Sequence, residues 1–166
     1  MEEFLSILRS FDIEVLADVR HYPGSRKFPH FNKFELEVSL PKEGITYLSL
    51  PELGGRRKPK ADSVNILWRN EAFRGYADYM ETDDFAQGIL ALTETAGLKR
   101  TAYMCSEAVW WRCHRALISD HLKARDWNVM HIMKESSANE HPFTSVYLET
   151  HDINARKKIS KQNPLS

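Results

Sequence analysis

The sequence predicts an α/β domain: a small, mostly parallel sheet of about four strands flanked by helices. Three observations carry this expectation. Short apolar runs alternate with segments of helical periodicity along the chain. A helix between consecutive strands implies parallel pairing through right-handed crossovers. The 166 residues, 42% hydrophobic and 28% charged, suffice for one such domain with its own core. Residues 1–150 read as that domain, and 151–166 as a polar tail.

The elements follow in order. Phe4, Leu5, Ile7, Leu8 and Phe11 recur at helical spacing, so residues 2–11 read as an amphipathic helix. Glu14 to Val19 reads as a buried strand, and Pro23-Gly24 marks the loop after it. Asn32 is the expected N-cap of a helix to about Leu40, ended by Pro41 and Gly44. Ile45 to Leu48 is a second strand, followed by the basic loop Leu53-Gly54-Gly55-Arg56-Arg57-Lys58-Pro59. Residues 60–70 read as irregular. Phe73, Tyr76, Ala77 and Met80 suggest a short helix. Asp83 is a candidate cap for another that runs to about Ala96 and closes at Gly97. Lys99 to Met104 is a third strand, Arg112 to Arg125 a helix, and Asn128 to Ile132 a fourth strand. The tail from Arg156 reads as frayed. Because a helix opens the chain, the first strand needs a partner on each side.

Lysine and arginine total 23, as do aspartate and glutamate, which argues against a protein that coats duplex nucleic acid through overall charge. No apolar stretch approaches the length of a membrane span, and the start Met1-Glu2-Glu3 lacks the pattern of a secretory signal. Two cysteines, one beside a histidine, fit a reducing cytoplasm better than a disulfide scaffold. The pattern calls for no cofactor and no membrane partner, and it leaves the oligomeric state open.

The chemistry concentrates in Cys105 to Arg115, between a strand end and a helix, where open α/β sheets bind ligands. Nearby arginines and a helix N-terminus favour the thiolate of Cys105, the nucleophilic form. His114 is a candidate acid or base, with Glu107 to orient it. The Cys105 to Arg112 spacing resembles thiol-enzyme loops that hold anions on backbone amides. Those loops have five intervening residues, where this one has six. The alternative is that Cys105 is a buried small hydrophobe and Cys113 packs in the helical turn. Cys113 could also resolve an oxidised Cys105. A metal reading uses Cys105, Cys113, His114, His131 and His141 as ligands, although no Cys-x-x-Cys pair is present. His131 is otherwise a hydrogen-bonded structural group or a second acid-base group.

Arg20, Arg26, Lys27, Arg56, Arg57, Lys58, Arg112 and Arg115 lie on loops or helix starts that follow predicted strands, so three loops can converge on one anion pocket. Gly54-Gly55 would let the backbone approach an anion. Asp18 is either another acid-base group or the partner of Arg20. Tyr22, Phe28, Phe31, Trp68, Phe73, Tyr76, Trp110 and Trp111 interleave with these charges, as base-stacking residues or as core. Adjacent helical residues do not share a face, so one of Trp110 and Trp111 is expected at a pocket rim or in solvent.

One set of residues resembles the bacterial and archaeal family labelled domain of unknown function 488. The set is Asp18-Val19-Arg20 with Pro23, Ser25 and Arg26; Phe31-Asn32; Gly44-Ile45-Thr46-Tyr47 with Leu53-Gly54-Gly55; Gly75 to Met80; Cys105-x-Glu107 with Cys113-His114-Arg115; and the later His131-Ile132 and His141. The resemblance covers most of the chain and implies an α/β domain with shared polar residues near the strand ends, but no reaction. It also implies an N-terminal strand ending in Gly-His-Ser, and here Met1 falls about where the following helix starts.

The expectation for function is a cysteine-dependent enzyme acting on an anionic substrate, a nucleotide or a nucleic-acid fragment. Cys105, Glu107 and His114 would be catalytic, and Arg20, Arg26, Arg56, Arg57, Arg112 and Arg115 would bind the anion. Asp18, Cys113 and His131 would be further acid-base or redox groups. The alternatives are a non-catalytic module that binds nucleotide or nucleic acid through the same pocket, and a metal-binding protein.

Overall fold

In the computed structural model, which describes residues 1–151, strand β1 (Val15–Asp18) is central. It pairs in parallel with β2 (Thr46–Ser49) on one side and β3 (Thr101–Met104) on the other, in the order β2-β1-β3. The register places Asp18 beside Ser49 and Met104, so the three C-terminal strand ends share one edge. The chain reaches these strands through α1 (Glu2–Ser10), α2 (Lys33–Lys42), α3 (Glu71–Tyr79) and α4 (Asp83–Leu98). It then continues through α5 (Arg115–Lys123), the strands β4 (Met130–Lys134) and β5 (Ser137–Glu140), and α6 (Ser145–His151).

The alternation of β1 divides the core. Leu16 packs on one face with Leu5 and Leu8 of α1 and with Leu36 and Leu40 of α2. Ala17 and Val19 pack on the other face with Tyr76, Phe85, Leu117 and Ile118 from α3, α4 and α5. All four residues of β1 are buried, as a strand covered by helices on both faces must be. Gly44, at φ +75°, ends α2, while Gly44 N–H and Ile45 N–H bond the carbonyls of Pro41 and Leu40.

The structure adjusts several expectations. The predicted fourth parallel strand joins a separate antiparallel pair instead. Lys134 faces Ser137 across a two-residue turn in which Ser136 holds φ +53°, so β4 turns straight back into β5. The parallel sheet therefore has three strands. Pro41 lies inside α2 rather than ending it, and α4 continues past Gly97. The Thr82 hydroxyl, not Asp83, caps α4 by accepting from Phe85 N–H. Asn32 occupies the N-cap of α2, but its side chain accepts from Ser25 N–H. Residues 60–70 are irregular yet organised: the Asp78 carboxylate accepts from Lys60 N–H, Ser63 Oγ and Asn65 Nδ2. The helix expected from Arg112 starts at Arg115, after a 3-10 turn over Trp110–Arg112. The tail from Arg156 lies outside the described residues. Among the described residues no helix is long and apolar enough to cross a membrane.

Candidate active site

At the shared strand edge, the loops after β1, β2 and β3 and the start of α5 enclose a cavity of about 240 Å³. Its wall includes Arg20, His21, Gly55, Arg56, Cys105, Glu107, Arg112, Cys113 and His114, with Phe73 from α3. The expected convergence of three loops is thus present.

His114 organises the centre. Its Nε2 lies 3.2 Å from the Val19 carbonyl, a pure acceptor, so Nε2 carries hydrogen. In the neutral ring Nδ1 is then a lone pair, and it faces both sulfurs: 3.6 Å from Cys113 Sγ and 4.0 Å from Cys105 Sγ. The three ligand atoms lie within 4.8 Å of one another. Both cysteines are free; Cys105 is half-buried and Cys113 buried.

Their surroundings push the two thiols in opposite directions. The Cys113 thiol, donating toward Cys105, holds Cys105 far below the ordinary cysteine range. The Glu107 backbone N–H acts in the same direction, as does His114 once its Nδ1 also carries a proton, and burial opposes them. Cys113 is pushed up correspondingly, because the anion beside it and its own burial keep the proton in place. Arg115 Nε donates to Cys113 Sγ at 3.4 Å.

The glycine pair has a different role from the one expected. A Cβ on Gly55 would lie 2.7 Å from His114 Nδ1, and one on Gly54 would lie 2.7 Å from His21 Cβ. The two glycines make room for two histidines rather than for an anion. His21, which sequence reasoning missed, lines the cavity, and its Nδ1 is sealed from solvent with no hydrogen-bond partner among the described residues. A histidine inside a loop that follows a strand was the available signal.

The arginines divide. Arg56 and Arg112 are exposed on the cavity wall. Arg20 also lines it, but its guanidinium grips both oxygens of Asp18, at 2.8 and 2.5 Å, and donates to the Phe31 carbonyl at 2.8 Å. Asp18 is therefore the partner of Arg20. Its carboxylate also accepts from Tyr47 Oη at 2.7 Å, and burial with this bond raises the Tyr47 phenol above its usual range. Arg26, Arg57 and Arg115 are not on the cavity wall. Arg26 is exposed on its loop, and Arg57 bonds the Gly54 carbonyl and stacks on Tyr79 at 3.6 Å. Arg115 is tied to Cys113 and to the Glu107 carbonyl. The Glu107 side chain is exposed at the rim; the Val19 carbonyl, not this carboxylate, orients His114.

The five-ligand metal set also divides. His131 and His141 bond each other at 2.8 Å, and His141 bonds Asp120 at 3.0 Å. Cys105, Cys113 and His114 remain as the cluster with metal-ligand spacing among the described residues. Trp110 packs against the core and stacks on His131, while Trp111 is exposed.

The sequence profile called Domain of unknown function DUF488 matches residues 1–122, which include every element of the parallel sheet and the whole thiol cluster. No curated protein and no solved structure matches the chain.

Proposed function

Because the chain belongs to the DUF488 family, whose description carries no reaction, we propose its function from the site: a cysteine-dependent enzyme that acts on an anionic substrate. The observation that supports this reading most is the geometry that sets a half-buried Cys105 beside Cys113 and a His114 whose tautomer the Val19 carbonyl fixes, surroundings that favour the Cys105 thiolate. Cys105 Sγ would attack an electrophilic carbon or phosphorus of the substrate and form a sulfur–substrate bond. The leaving group would depart with a proton drawn from the Cys113–His114 pair, and water would release the product. Arg56 and Arg112 would hold the anion. A nucleotide or nucleic-acid fragment suits exposed arginines beside Phe73 in a small cavity. Two free thiols, one ionised, suit a reducing cytoplasm.

A second reading has its own observation. Two sulfurs and one ring nitrogen at this spacing, with the other ring N–H on a backbone carbonyl, match how proteins hold zinc with one position open.

Both readings meet in one measurement, the rate of iodoacetamide alkylation of Cys105 against pH, read by peptide mass. The thiolate reading expects full reactivity below neutral pH, loss of the label in Cys105→Ser, and slowing by phosphate that weakens in Arg112→Gln. An unreactive Cys105 in folded, metal-free protein would sink the nucleophile. Stoichiometric zinc that blocks alkylation in the wild type but not in Cys113→Ser would favour the metal reading. Phosphate or nucleotide binding that survives Cys105→Ser with no turnover of any ester or nucleotide would favour a non-catalytic binding module.

A further inference from the structure

A second arrangement of titratable groups lies on the other side of the Trp110–Arg115 segment. Buried Asp120 of α5 accepts three hydrogen bonds: from Thr144 N–H at 2.9 Å, from Thr144 Oγ1 at 2.6 Å and from His141 Nε2 at 3.0 Å. His141 is fully buried, and its Nδ1 lies 2.8 Å from His131 Nε2. With both rings neutral, these contacts fix every hydrogen in the chain. A carboxylate only accepts, so His141 Nε2 donates to it. The neutral ring then leaves His141 Nδ1 as an acceptor, so His131 Nε2 must donate. The hydrogen of His131 is thereby placed on Nε2, and Nδ1 is left as a lone pair.

That lone pair has no protein partner among the described residues, and it is not sealed either. Among the described residues, the sealed, unpartnered side-chain atoms are His21 Nδ1 and Ser39 Oγ. The His131 ring forms part of the wall of a second cavity, of about 550 Å³, with Tyr103, Trp110, Arg115, Leu122 and Val129. Trp110 stacks flat on His131, at 4.3 Å and 3° between planes, and holds the ring in this orientation.

We propose that His131 is a proton-accepting site for a hydroxyl-bearing ligand with a flat apolar body, seated in this second cavity and served by the His131–His141–Asp120 chain. The ligand hydroxyl gives its proton to His131 Nδ1. His131 passes the proton on Nε2 to His141 Nδ1. The products are the ligand oxyanion, a neutral His131 and a His141 imidazolium bonded to the Asp120 carboxylate, so protons and charge balance. Arg115 lines the same wall, with its guanidinium held by Cys113 Sγ and the Glu107 carbonyl. Burial, His141 and Arg115 depress the basicity of His131 itself, down to about 4, and the Asp120 carboxylate accepts from His141 Nε2. Lys123 touches this unit only at the His141 carbonyl.

The test uses 4-nitrophenol, whose oxyanion absorbs visible light and whose neutral form does not. At a pH about one unit below the pKa of the free probe, wild-type protein should bind it saturably and raise the bound oxyanion fraction about tenfold over that in buffer. His131→Gln should abolish the visible band. Asp120→Asn, which removes the terminal carboxylate, should bind the probe without the band. No saturable band in the wild type, or an equal band in His131→Gln, overturns the proposal. Nitrogen NMR of the wild type decides the matter independently of any variant: a bare Nδ1 on His131 that shifts with the probe supports it, and a hydrogen-bearing Nδ1 overturns it. Protein already alkylated at Cys105 should give the same band, so failure here is distinct from failure of the thiol reading.

Discussion

His114 and His131 sit on opposite sides of one short segment, and they differ in what holds the ring. His114 is fixed by a backbone carbonyl, a neutral acceptor that sets a tautomer but stores no charge. His131 is fixed through His141 by a carboxylate, which sets a tautomer and can also balance a proton. On the thiol side, the proposed negative charge rests on the Cys105 sulfur, with the proton kept by Cys113. On the imidazole side, a proton can be taken inward. Two histidines in similar half-apolar surroundings become a partner for an anion in one case and a base in the other.

The largest test of this contrast is Gly55→Ala. The new Cβ would meet His114 Nδ1 at 2.7 Å, so the ring must leave the sulfurs. Alkylation of Cys105 at a fixed pH near 6 should fall on the order of tenfold or more, with its pH midpoint moving upward. The 4-nitrophenol band should not change. If both sides fail together, the two sites are not independent.

A middle-sized test is stability in acid. Burial lowers His131 and His121 from 6.5 to about 4, with His141 and Arg115 adding for the first and Arg125 for the second. Above pH 6.5 these groups are neutral whether the chain is folded or unfolded, and their full contribution is present. As the pH falls from 6.5 to 4, the unfolded chain binds protons that the folded one refuses, so stability falls. After allowance for partial exposure each should cost roughly 1–2 kcal/mol. Urea unfolding at a series of pH values should show this slope, with His131→Gln flattening it by about half. A slope unchanged in His131→Gln would mean that ring is already charged in the fold.

The smallest effect is optical. Trp110 lies flat against His131, so its emission should change when that ring charges. The difference between wild type and Trp110→Phe should stay flat through neutral pH and change near pH 4. A change near pH 6.5 would place the imidazole in ordinary solvent.

The thiol site was legible because its donors lie close together in the chain: Cys105, Cys113 and His114 span one loop and one helix start. The parallel sheet was legible because its strands are buried apolar runs between periodic helices. Strand β5 was not, because Ser137-Ala138-Asn139-Glu140 is polar and its pairing depends on the turn at Ser136. The Asp120–His141–His131 unit was hidden because it joins a helix, a strand and a loop, and an aspartate in a helix reads as a solvated charge. Arg57 and Arg115 lie off the thiol cavity wall because an arginine fork finds backbone carbonyls, rings or sulfur as readily as an anion, and Arg26 stays exposed on its loop. Gly54-Gly55 misled because lack of a side chain marks close approach without saying what approaches.

The bond from His114 to the Val19 carbonyl joins positions 95 apart in the chain, across α2, β2, α3, α4 and β3. Contacts this distant in sequence form late, after the loops between them have closed. During refolding, helical signal should therefore return before thiol reactivity does. On the proposed reading, Cys105 gains its thiolate only once His114 has docked on Val19, so a chain with α5 still inside the ribosomal exit tunnel should carry it as an ordinary thiol.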